Sequence, residues 1–186
     1  MDKDWNDVFE LKERDINVLQ IINEENLTCF TFEGLKRRLK IHQETLSRIL
    51  SRLTEEEILK KINGHYTLTS KAKELLETLN PEFNKHPLTL LQTILPPQIS
   101  INKIASNLKG KWFGILRWLG YSYTNECIVL KWVTKEGEAI ITAIFSQGKL
   151  CIEARAISKN DETAAINASY QLMGYITKLI SKNEHN

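Results

Sequence analysis

The stretch Gln43-Glu44-Thr45-Leu46-Ser47-Arg48-Ile49-Leu50-Ser51-Arg52-Leu53, followed by Ile58-Leu59-Lys60-Lys61-Ile62-Asn63-Gly64-His65-Tyr66-Thr67-Leu68, decides how the first half of the chain is read. In the first segment Leu46, Ile49, Leu50 and Leu53 recur at i, i+3, i+4 and i+7, one face of an amphipathic helix. The opposite face carries Gln43, Glu44, Ser47, Arg48, Ser51 and Arg52, and Glu55-Glu56-Glu57 closes the helix. The second segment is two short strands about Asn63-Gly64, a pair that supplies the positive φ angles of a tight hairpin turn.

Upstream, Leu11, Asp15, Val18, Leu19 and Ile22 share one face of a helix that Asn23-Glu24-Glu25-Asn26 ends. Thr31 is placed to cap a short helix containing Leu35 and Leu39, and Lys40-Ile41-His42 turns into the polar-faced helix. Downstream, Thr69 or Ser70 caps a helix through Leu75, Leu76 and Leu79, which Asn80-Pro81 stops. The formal net charge is only +2, but the charge is unevenly spread. Lys36 to Lys61 holds Lys36, Arg37, Arg38, Lys40, Arg48, Arg52, Lys60 and Lys61 against Glu44, Glu55, Glu56 and Glu57. Such a stripe suits a phosphate-facing surface, and it equally suits a solvated helical face.

Helix, helix, turn, polar-faced helix, two-stranded wing and helix is the order of a winged helix-turn-helix. Thr31 to Leu39, Thr45 to Leu50 and Gly64 to Thr69 resemble archaeal and bacterial MarR-like regulators over Leu11 to Leu76. The resemblance implies major-groove recognition of double-stranded DNA. Arg48 would contact guanine, with Gln43, Thr45, Ser47 and Ser51 reading or positioning. Lys36, Arg37, Arg52, Lys60 and Lys61 would hold phosphates, and His65 would reach the backbone or minor groove from the wing tip. A winged helix can instead be a protein-interaction module, and Glu44 on the reading face would repel phosphates.

The second half differs. Pro81 to Pro87 reads as a linker, and Leu88 to Leu95 is an apolar run open between strand and helix. Ile101, Ile104, Ala105 and Leu108 form a helical stripe stopped by Gly110. Four strands are predicted, Trp112 to Leu119, Cys127 to Val133, Ala139 to Phe145 and Lys149 to Ala156, the last three as an antiparallel meander. A final helix starts near Asp161, capped by Ser158 or Asn160, with a stripe of Ala165, Ala168, Leu172, Tyr175 or Ile176, and Leu179.

Ala143-Ile144-Phe145-Ser146-Gln147-Gly148-Lys149-Leu150-Cys151, with Ile99 to Ala105 upstream and the final helix downstream, resembles one repeat of the TATA-binding protein. That implies a curved antiparallel sheet with helices on one face, and makes Leu88 to Leu95 a strand. Two such repeats form a saddle that opens the minor groove with phenylalanine wedges. Phe145 matches one wedge position; Cys127 or Ile128, at the other, is not aromatic. Glu153, sharing a face with Cys151 and Arg155, would oppose phosphates, so pairing with a subunit, ligand or protein is favoured over TATA-type bending. Trp112, Trp118 and Trp132 could stack a ligand or fill a core or dimer contact; the second is favoured.

The expected fold is α+β: a winged helix-turn-helix at residues 1–80 and a TATA-binding-protein-like domain at 87–182. No GxGxxG, phosphate loop, HExxH or GxSxG motif is present, so no catalytic residue, metal or cofactor is expected. Cys29, Cys127 and Cys151 are odd in number and far apart, which excludes a disulfide framework and suits a cytoplasmic protein. Met1-Asp2-Lys3-Asp4-Trp5 lacks the apolar region of a secretory signal, and no apolar run is long enough to cross a membrane. The expected function is a homodimeric DNA-binding regulator. An adaptor of the transcription machinery and a small-molecule sensor are the alternatives.

Overall fold

The computed structural model describes residues 11–78, 87–124, 126–156 and 162–184. Residues 81–86 of the expected Pro81 to Pro87 linker, Leu79 of the expected helical stripe, the stop at Asn80-Pro81 and the caps at Ser158 and Asn160 lie outside them. The chain is α+β and divides into two compact units, Met1–Asn84 and Lys85–Asn186.

The first unit holds α1 (Glu13–Glu24), β1 (Cys29–Thr31), α2 (Phe32–Leu39), α3 (Gln43–Glu55), β2 (Leu59–Ile62), β3 (His65–Leu68) and α4 (Ser70–Thr78). Local chemistry sets these boundaries. Thr31 Oγ1 accepts from the Gly34 N–H at 3.1 Å and starts α2; Lys40, at φ 54°, ends it. Thr69 Oγ1 accepts from the Ala72 N–H at 3.2 Å and starts α4. Asn63 and Gly64, at φ 50° and 80°, turn β2 into β3. The sheet order is β2-β3-β1, all antiparallel. β1 was not expected: three residues are too few for a periodic signal. Leu19, Ile22, Phe30, Leu35, Leu46, Leu50, Leu53 and Ile58 are buried in this unit.

Two carboxylates are buried with the apolar side chains. Asp15 faces Arg52 of α3, and Glu25 accepts from Arg38 Nε of α2 at 2.7 Å. A buried carboxylate is costly without such a partner. These pairs tie both ends of α1 to the helices that follow it.

The second unit holds β4 (Leu88–Ile94), α5 (Ile101–Leu108), β5 (Leu116–Tyr123), β6 (Cys127–Thr134), β7 (Ala139–Ser146), β8 (Lys149–Ala156) and α6 (Glu162–Glu184). Its strands are antiparallel in the order β5-β6-β7-β8-β4, with β4 at the end. Gln147 and Gly148, at φ 46° and 76°, make the tight turn between β7 and β8. Alternate strand residues, Ile128, Leu130, Trp132, Ile141, Ala143, Phe145, Leu150 and Ile152, pack in one cluster with Ile104, Leu108, Ala168, Leu172 and Ile176 of α5 and α6.

Two expectations change here. β5 begins at Leu116, not Trp112, because Gly114 (φ 52°) turns the chain and Phe113 and Leu116 exchange backbone hydrogen bonds of 3.1 and 2.7 Å. Trp112 is therefore off the sheet and exposed, with the Arg117 guanidinium 4.5 Å from its ring, while Trp118 and Trp132 are buried in the core. Phe145, at the residue matching a wedge position, is buried with Ile128 and Leu150, on the sheet face opposite Cys151, Glu153 and Arg155.

Candidate nucleic-acid interface

The first turn of α3 is set by His42, whose Nδ1 accepts from the Glu44 N–H at 3.3 Å. Leu46, Ile49, Leu50 and Leu53 are then buried, which leaves Gln43, Glu44, Ser47, Arg48 and Ser51 exposed on the other side and Thr45 half-buried at its margin. Thirteen residues make this helix about 20 Å long. The Arg48 side chain is 72% exposed and pairs with Glu44 one turn earlier. An exposed pair of that kind is worth only about 0.3–0.5 kcal/mol, so a stronger anion can displace Glu44.

Arg52 differs from Arg48. Its Nη2 lies 2.6 Å from Asp15 Oδ1 and its Nε 3.0 Å from Oδ2, a bidentate pair with a fully buried carboxylate. Asp15 Oδ2 also accepts the Lys12 N–H at 2.9 Å. The Asp15 hydrogen bonds raise the Arg52 pKa; burial opposes them, and the charges of Asp15 and Glu55 add to the rise. The phosphate-contact expectation for Arg52 thus meets a side chain already engaged in holding α3 to α1.

Lys36 and Arg37 share one exposed carboxylate: Glu33 lies 3.0 Å from Lys36 Nζ and 3.5 Å from Arg37 Nη2. On the hairpin, Lys60 and Lys61 are exposed, and Lys61 Nζ sits 5.5 Å from the centre of the Tyr66 ring. His65 Nδ1 is 3.1 Å from the Asn63 carbonyl oxygen. The expected residues therefore fall into three groups, on α2, on α3 and on the β2–β3 hairpin.

Packing adds two residues to the α3 group. Lys12 and Arg14 line a cleft of about 370 Å³ together with Glu13, Thr45, Arg48, Ile49 and Arg52. No motif marks Lys12 or Arg14. The usable signal is Asp15 at an apolar position of the α1 stripe, since a carboxylate there needs a cation from another element.

The second unit has a different chemistry. Cys151 Sγ lies 3.8 Å from Glu153 Oε1, and its thiol is pushed above its ordinary value by burial first, then by the Glu153 charge and hydrogen bond, against a smaller opposing bond from Thr89. Among the described residues no group of three His, Cys, Asp or Glu is placed to hold a metal. No described helix is long and apolar enough to cross a membrane. No family model, curated protein or solved structure matches the chain.

Proposed function

We propose that the chain is a non-enzymatic, DNA-binding transcriptional regulator of archaeal or bacterial type, acting in the cytoplasm. In this reading the first unit is a winged helix-turn-helix that enters the major groove with α3, and the β2–β3 hairpin is its wing. The element order, the antiparallel pairing of β2 and β1 with β3 and the exposed polar side of α3 support it. The observation that carries it is Arg48: a guanidinium on the exposed side of α3, held by an equally exposed Glu44 and free to exchange it for a guanine edge or a phosphate. Gln43, Ser47 and Ser51 flank Arg48 with groups that can donate or accept hydrogen bonds at base edges.

The second unit is read as a TATA-binding-protein-like domain used for dimerisation or sensing. Strand order β5-β6-β7-β8-β4 with α5 and α6 on one core supports that reading. β4 supports dimerisation specifically. It ends the sheet, carries no charge and no proline, and exposes Leu88 and Ile94, so its outer edge is a template for another strand. A two-fold dimer would set two copies of α3 about 34 Å apart on one face of the duplex.

Fluorescence anisotropy with labelled duplexes at low and high salt tests the reading. Binding should fall steeply with salt, and Arg48→Ala should weaken it by roughly tenfold, as loss of a bidentate base contact implies. Absence of binding at low salt removes the proposal. Glu44 on the reading side and the exposed Ile62 at the hairpin favour a second reading, an adaptor of the transcription machinery that does not read sequence; that protein would bind no duplex at either salt.

A further inference from the structure

We infer that the cleft between α1 and α3 seats a backbone phosphate of duplex DNA, with Lys12 and Arg14 as its ligands; the inference rests on the DNA-binding reading and extends its surface to α1. Four cationic side chains, Lys12 and Arg14 from one helix segment and Arg48 and Arg52 from another, line about 370 Å³ together with Glu13, while Glu44 and Asp15 pair with Arg48 and Arg52. With Arg52 and Arg48 paired to Asp15 and Glu44, the charge an entering anion would meet is chiefly that of Lys12 and Arg14.

The cations are not equivalent. Arg52 is taken by Asp15 and Arg48 by Glu44. Lys12 and Arg14 are exposed and in no ion pair among the described residues. The cleft thus combines a fixed cation, Arg52, held bidentate, with two cations in no ion pair among the described residues. Thr45 adds a hydroxyl donor at the rim, and Ile49 an apolar contact. Arg48 belongs both to this cleft and to the exposed side of α3, so a phosphate seated here lies next to the helix side proposed to read bases.

A phosphate contact contributes affinity and salt dependence with no sequence preference. That property separates Lys12 and Arg14 from Arg48. The full chain, and its Lys12→Ala/Arg14→Ala and Lys103→Ala variants, would be titrated into a labelled mixed-sequence duplex across a salt series. Lys103 is an exposed lysine of the second unit and serves as the control. The double variant should bind roughly tenfold more weakly at low salt, and the slope of log K against log salt should shrink by about one. Lys103→Ala should leave both unchanged. Circular dichroism melts check that the double variant is folded; the Asp15 contact uses the Lys12 backbone N–H and survives the substitution.

A wild-type protein that binds the duplex, with a folded double variant matching its affinity and slope, overturns the phosphate seat and leaves the DNA-binding reading intact. No duplex binding by the wild type overturns both. A parallel titration with inorganic phosphate separates the two sources of the same chemistry: a phosphate-dependent rise in melting temperature that the double variant abolishes, with duplex binding unaffected by the substitutions, would assign the cleft to a free anion and overturn the duplex assignment.

Discussion

Arg52 reaches from α3 back to Asp15 on α1 and meets both carboxylate oxygens, at 2.6 and 3.0 Å. The two partners are unequal, because Asp15 is fully buried while the Arg52 side chain is 29% exposed. Removing the cation strands a charge in the core; removing the carboxylate leaves a cation that can still find water. Arg52→Ala should therefore destabilise the protein by about 3 kcal/mol, and Asp15→Asn by the smaller cost of a weakened hydrogen-bonded contact, about 1–2 kcal/mol. Urea unfolding measures both. A wild-type midpoint for Arg52→Ala would show that the pair contributes nothing.

Glu44 covers the arginine proposed to enter the groove and would itself face phosphates. Glu44→Gln removes a like-charge repulsion and frees Arg48, so duplex affinity should rise about threefold at low salt and by less at high salt. Anisotropy titration reads the change. Weaker binding by this variant would mean that Glu44 organises the interface rather than opposing it.

Gly114 makes the turn that delays β5, at φ 52°, and a Cβ there would overlap the side-chain amide of Gln171 on α6. Gln171 is exposed and can swing away, so the lasting cost of Gly114→Ala is the left-handed backbone, about 1 kcal/mol. The double variant with Gln171→Ala should recover little of it. Full recovery would locate the cost in the clash instead.

The Cys151 thiol is raised first by burial and then by Glu153. With the folded value above the unfolded one, the stabilisation is complete below the ordinary thiol value and is lost as pH climbs through the raised value. The same shift lowers the thiolate fraction at mildly alkaline pH. Cys151 should therefore alkylate more slowly than an unperturbed thiol, and Glu153→Gln should speed the reaction roughly twofold to threefold while burial keeps it below the unperturbed rate. Iodoacetamide labelling followed by peptide mass spectrometry provides the test. No acceleration in the variant would leave burial as the whole cause.

The elements that announce themselves in the sequence are those fixed by local chemistry. The Leu46, Ile49, Leu50, Leu53 stripe, the Thr31 cap and the Asn63-Gly64 turn each act within a few residues, and each forms where expected. Tertiary pairing is harder to read. β1 exists because Cys29–Thr31 finds β3, more than thirty positions along the chain. Lys12 and Arg14 join the α3 side through packing, and Arg52 looks like a surface cation until Asp15 is seen beneath it. Trp112 looks like a strand residue in a run of apolar and aromatic side chains; one glycine two positions later decides otherwise.

The buried acids at the two ends of α1 have a mechanical consequence. Bending α3 away from α1 would bare Asp15, and loosening α2 would bare Glu25, each without its arginine. Internal hinging of the first unit is therefore penalised at both posts, and this unit resists bending at either end of α1.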